Sequence, residues 1–204
     1  KHDALPICRI APPGPAPSRA EARALVSGLR SAAETARPLA MRASGLAGAL
    51  DAAGSTDAAA RVLVVDRPGW ATAAGASFAG LSGQDGRRGK NPLVAGVTAQ
   101  AAAVLALLSS KVLGQYDPYA SGSQPYGRLI LVAPNVLHSE QTLGVDPDDF
   151  RLWVCVHEQT HALQFAAAPW LADHVRAEAT ALLRDVAATA PTHEVSAVLG
   201  GLAR

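Results

Sequence analysis

His157, Glu158 and His161 stand in a His-Glu-x-x-His segment, Val156-His157-Glu158-Gln159-Thr160-His161, inside an apolar run with helical signals on both sides. Two residues four apart on a helix point about 40° apart around its axis. Both imidazoles can therefore grip one zinc ion, and the carboxylate between them can reach a water on that metal. A zinc site of this kind acidifies water to a pKa of about 7 and polarises a substrate carbonyl. The carboxylate takes the proton and can return it to the leaving group. Those residue types at that spacing are hydrolase chemistry. The bland alternative is two surface histidines bonded to backbone carbonyls, with Glu158 as a solvent-facing acid.

The element that must position them is a helix with a strong start. Asp146 is placed as N-cap, Pro147 at the first helical position, and Asp148 and Asp149 in the first turn against the positive dipole end. The spacing predicts a helix to about Phe165 with two faces. Leu152, Val156 and Leu163 project to one side, toward a core. His157 and His161 project to the other, with Trp153 and Gln164 beside them. Cys155 points away from the histidines, so it reads as a small buried apolar residue and not as a ligand.

The remaining chain sets bounds on the rest. Its 204 residues fit one domain, and 49% are apolar, enough for a core. Aromatics are only 4% and much of the apolar content is alanine, which favours helices over a large sheet. The net charge of +1 excludes a nucleic-acid binder that relies on bulk electrostatics. Arg87-Arg88-Gly89-Lys90 is read as a solvated loop. Two cysteines, Cys8 and Cys155, suggest no disulfide framework and so a reducing, cytoplasmic setting. No signal peptide is visible. His2 to Ile7 read like the translation of a sequencing adapter, and an apolar helical pattern runs up to Arg204, so both ends are expected to be cuts.

Along the chain, residues 1–17 form an irregular, proline-rich segment and residues 18–204 a single domain. Ser18 and Glu21 make a capping box for a helix from Arg19 to about Ala36, which Pro38 punctuates. A second helix is expected over Leu39 to Ala53. Val62 to Val65 and Arg128 to Val132 are the two clear strands, the first followed by a turn at Asp66-Arg67-Pro68-Gly69. Trp70 to Leu81, Asn135 to Leu143 and Pro169 to about Ala188 read as helices, with a last one after Pro191. Leu93 to Leu113 has the length of a membrane span. Its alanine content, Gly96 and Gln100, and the lack of an aromatic belt favour a buried core helix. The stretch around Tyr116, Tyr119 and Tyr126 reads as a loop.

Several segments together resemble a known family. They are Val65 to Trp70, Val112 to Pro118, Leu131 to Asn135, Gly144 to His161, Gln164-Phe165 and Pro169 to Leu171. The chain is similar there to the zincin-like metallopeptidases of actinobacteria, whose members are often labelled as hydrolases associated with coenzyme F420 biosynthesis. The resemblance implies a mostly helical α+β fold with a small sheet next to the motif helix. It also implies zinc held by His157 and His161, and Glu158 as catalytic acid and base. In a zincin-like arrangement the edge of the strand Arg128 to Val132 could pair with an extended substrate, and the equal alternative is a strand of ordinary core sheet.

A catalytic zinc usually has three protein ligands. The family's further acidic segment would be expected beyond Arg204. Inside the chain, His174, Glu178, His193 and Glu194 follow the motif; Glu178 is the best-placed carboxylate, although a solvated helix acid is the commoner reading of such a residue. The first functional expectation is therefore a zinc hydrolase acting on a peptide or small amide, with no nucleic acid and no membrane involved. The alternative is a non-catalytic zincin-like binding or scaffold protein with an incomplete metal site. A weaker third is attachment to a membrane through Leu93 to Leu113.

Overall fold

A computed structural model describes residues 14–81, 104–120 and 126–189. It divides into two compact units, one reaching Pro169 and one beginning at Trp170. The first unit opens with α1, Arg19–Ser44. Its capping box forms as expected: the Glu21 N–H donates to Ser18 Oγ, and the Ser18 N–H donates to the Glu21 carboxylate at 2.8 Å. Leu25, Leu29, Ala33, Ala36 and Ala40 recur at helical spacing as its buried stripe.

Pro38 does not end this helix, contrary to the sequence reading. A proline inside a helix removes one hydrogen bond and costs about 3 kcal/mol. Here the stripe continues past it. Ala40 packs with Leu50 and Leu163, and Arg37 donates to the carbonyls of Thr56 (2.8 Å) and Ala58 (2.6 Å). That packing holds the chain helical until Gly45, whose φ of 68° makes a left-handed cap. The short α2, Ala47–Ala52, follows.

Three strands form a mixed sheet: β1 Arg61–Val65, β2 Gly114–Asp117 and β3 Arg128–Val132, in the order β1-β3-β2. β1 runs parallel to β3, and β2 antiparallel to it. Leu129, Ile130, Leu131 and Val132 have no exposed surface. Burial of such side chains is worth about 2 kcal/mol each. Alternation sends them to opposite faces. Leu129 and Leu131 join Leu29, Val136 and Val154, whereas Ile130 and Val132 join Trp70, Ala71 and Ala74. The sheet therefore has a helix layer on each side.

Trp70, Ala71 and Ala74 belong to α3, Arg67–Leu81. The supposed turn before it is the first turn of the helix. Asp66 acts as its cap, accepting the Gly69 N–H on Oδ1 at 2.7 Å, and Pro68 sits where an N–H would have had no helical partner. Of the long apolar segment, residues 93–103 lie outside the described residues. Residues 104–108 are helical, a turn follows, and the Leu113 carbonyl already accepts the Val132 N–H at 2.9 Å. Among the described residues no helix is long and apolar enough to cross a membrane.

α4 is Ala133–Leu143 and α5 is Pro147–Ala167, which packs along α1 and against β2. Arg151 on α5 makes two bonds, of 2.8 and 2.9 Å, to the buried Glu140 carboxylate on α4. This bidentate pair fixes the angle between the two helices. The second unit holds α6, Leu171–Thr189, on which an Asp173–Arg176 pair lies at 2.8 Å. The reading of a last helix after Pro191 falls outside the described residues.

Candidate metal centre

The motif helix begins as its sequence dictates. Asp146 accepts the Asp148 and Asp149 N–H groups on Oδ1 at 2.9 and 3.0 Å, and Pro147 is the first helical residue. Val154, Cys155 and Leu163 are buried, which rotates His157 outward. Cys155 is wholly buried with its Sγ 3.8 Å from the Leu29 carbonyl oxygen. Burial, with a smaller contribution from Glu158, pushes its thiol up to about 12. It is a packing residue, as the sequence suggested.

His157 Nε2 and His161 Nε2 lie 3.3 Å apart. Two zinc–nitrogen bonds of ordinary length at a tetrahedral angle would hold their nitrogens about 3.3–3.4 Å apart. The pair is thus already at the separation a shared zinc requires. His161 Nδ1 is 3.0 Å from Gln164 Oε1. A proton on Nδ1, donated to that amide oxygen, leaves the Nε2 lone pair free to face a cation, which is the usual outer support of a metal-binding histidine. Trp153, 60% exposed, sits one turn before His157 with ring centroids 6.0 Å apart, and stacks on Phe150. Both neighbours expected from helical spacing, Trp153 and Gln164, are therefore found beside the histidines.

Glu158 differs from the two histidines in being only 7% exposed. Burial pushes its carboxyl up to about 7, opposed in part by the charge of His161 and by the Tyr116 backbone N–H directed at it. A carboxyl poised near neutrality can both accept and release a proton at physiological pH. Its neighbour on the sheet side is Gly114 of β2. A Cβ placed there would lie 2.6 Å from Glu158 Cγ.

Neither Gly114 nor Tyr116 was singled out from sequence for this role, and β2 itself was read as a loop. The available signal was a glycine at the mouth of an apolar stretch, which often marks a close backbone approach. The strand suggested for substrate pairing is also corrected. β3 is bonded on both sides and has no free edge, whereas β2 is the strand beside the motif helix. Among the described residues no third His, Cys, Asp or Glu joins a cluster able to hold a metal. His174 and Glu178 are exposed on α6, and His193 and Glu194 lie outside the described residues.

Residues 8–202 match the pattern of the zincin-like metallopeptidases. The chain belongs to that family. Membership implies a metal, and the paired imidazoles of this zincin-like chain have the chemistry and spacing to hold one. A crystal structure from Chloroflexus aurantiacus, provisionally named a hydrolase and described as having a novel fold, is similar at 28% identity with a TM-score of 0.54. The match covers 91% of this chain and 57% of that one, so the chain spans little more than half the length of that protein. No curated protein matches. Neither the family description nor the similar structure carries an actinobacterial origin or a coenzyme F420 association.

Proposed function

We propose that the chain is a zinc-dependent hydrolase that cleaves peptide or closely related amide bonds. The observation that carries this reading is the His157–His161 pair at 3.3 Å with the Glu158 carboxyl beside it. His157 and His161 would hold the ion through Nε2, and Gln164 would fix the tautomer of His161. Zinc, when bound, supplies a Lewis acid for the substrate carbonyl and makes water ionisable at neutral pH.

Glu158 takes a proton from the attacking water and returns it to the departing nitrogen, so its carboxyl is regenerated in each cycle. Partial burial keeps its proton affinity close to working pH. The substrate is held by β2. Leu113 turns its carbonyl to β3, so Gly114 and Tyr116 turn their main-chain groups the other way by the alternation of an antiparallel ladder. With the Tyr116 N–H directed at Glu158, an extended peptide can pair with the Gly114 main-chain groups and the Tyr116 carbonyl and lie across the imidazoles. A third ligand beyond the two imidazoles would complete the set.

The test is hydrolysis of a pool of quenched fluorescent peptides by the zinc-loaded full chain and its Glu158→Gln variant. The expected result is cleavage that stops on chelation, returns with zinc, and falls by about 10²–10⁴-fold in the variant. No bound zinc and no cleavage of any peptide would instead favour the non-catalytic binding or scaffold protein with an incomplete metal site.

A further inference from the structure

Gly114 presents a choice that the sheet alone does not explain. Its φ lies outside the left-handed range, so its backbone conformation is open to any residue. Glycine inside a strand is destabilising relative to a residue with a side chain. The space in front of it, however, is already taken. The three atoms nearest a Cβ at 114 would be Glu158 Cγ at 2.6 Å and Glu158 Cδ and Oε1, each at 2.9 Å. All three belong to one side chain. Cγ is set by the first side-chain torsion of Glu158, so it cannot retreat without moving the whole carboxylate.

The same strand holds the carboxylate from a second direction. The Tyr116 N–H, two residues along and turned away from β3 in the plane of the sheet, is aimed at it. The Tyr116 ring packs on Phe165 with centroids 5.3 Å apart. Phe165 is seven residues after Glu158, two helical turns along the same face of α5. The other face of β2 is tied down independently. Gln115 Oε1 accepts from Trp70 Nε1 at 2.8 Å, and Asp117 accepts from Arg128 Nε at 2.8 Å and from Ser77 Oγ at 2.6 Å. The strand is thus fixed to α3 and β3 on one side and to α5 on the other.

We infer that Gly114 and the Tyr116 N–H form a seat on β2 that positions the Glu158 carboxylate, and that the missing side chain at 114 is required by the reaction centre and not by the sheet. The inference rests on the hydrolase reading for its functional meaning, but its physical core is the coupling of positions 114 and 158. Gly114 is a positioning residue: it touches neither metal nor substrate through a side chain.

A double-mutant cycle of Gly114→Ala and Glu158→Ala, by urea unfolding of the metal-free full chain, tests that coupling without any need for turnover. In the parent, Gly114→Ala should raise the unfolding constant about tenfold or more, as crowding of a packed site does. In the Glu158→Ala background the same change should alter it less than about threefold, because the obstructing atoms are gone. If Gly114→Ala does not fold, folding of the double variant supports the seat, and failure of both overturns it. Equal destabilisation in both backgrounds also overturns it. In the zinc-loaded protein, Gly114→Ala should keep zinc affinity and KM within about threefold of the parent while kcat falls at least tenfold, a split a merely structural role would not give. Retention of parental kcat overturns the positioning role. If no variant hydrolyses anything but the coupling stands, the hydrolase reading fails and the seat survives as structure.

Discussion

Glu158→Gln should stabilise the metal-free chain at neutral pH even as it removes the proposed base. The parent carboxyl is 7% exposed and is pushed from 4.5 up to about 7, chiefly by burial. Between those two values the folded protein holds a proton that the unfolded chain has released. Stability must then fall as pH rises through that window, and level off above about 7. The interval from 4.5 to about 7 corresponds to about 3 kcal/mol. Glutamine has the same shape and never ionises, so it removes the penalty. Above pH 7 the variant should be more stable than the parent by about 2–3 kcal/mol, and below pH 4 the two should nearly coincide. Urea unfolding followed by circular dichroism, from pH 4 to 8 in excess chelator, reads the difference directly. Taking the difference between the two proteins cancels the titrating groups that do not act on Glu158, and leaves its own titration with that of its neighbour His161. A difference that does not grow between pH 4.5 and 7, or a variant less stable than the parent at pH 8, would refute the burial argument.

Three further outcomes follow from the same geometry. Gln164→Ala removes the acceptor for His161 Nδ1, and zinc affinity measured by chelator competition should weaken about 10–100-fold, with unfolding by urea unchanged. A quenching divalent ion such as Cu²⁺ should dim the indole nearest the imidazoles, so Trp153→Phe should abolish most of the fluorescence loss while Trp70→Phe should not. Glu140→Ala leaves Arg151 with only the more distant Asp148 and should cost about 3 kcal/mol in urea unfolding, the low end for a broken pair because Arg151 keeps 15% exposure.

The motif helix was legible because its information is local. Asp146 and Pro147 cap it, and the four-residue step from His157 to His161 sets the two rings side by side. The strands over Arg61–Val65 and Arg128–Val132 were legible from their β-branched, apolar residues. β2 was not. Gly114-Gln115-Tyr116-Asp117 shows no hydrophobic alternation, since its two faces meet a carboxylate and an aromatic ring on one side and polar partners on the other. Its strand state comes from pairing with β3 and packing on α5, neither of which is written in neighbouring residues. The mistaken break at Pro38 has a related cause: local propensity was outweighed by the burial of Ala36 and Ala40. The mistake over β3's edge arose because strand order is a property of the whole sheet. The two histidines and Glu158 could thus be named from sequence, while the seat that holds Glu158 required the fold.

His157 and His161 are proposed to share one zinc ion. Native mass spectrometry of the full chain after zinc loading and buffer exchange measures this most directly. One zinc per chain, lost in both His157→Ala and His161→Ala but kept in Glu158→Gln, is the expected result. A parent that takes up no zinc, or single-histidine variants that retain it at full occupancy, would contradict the account.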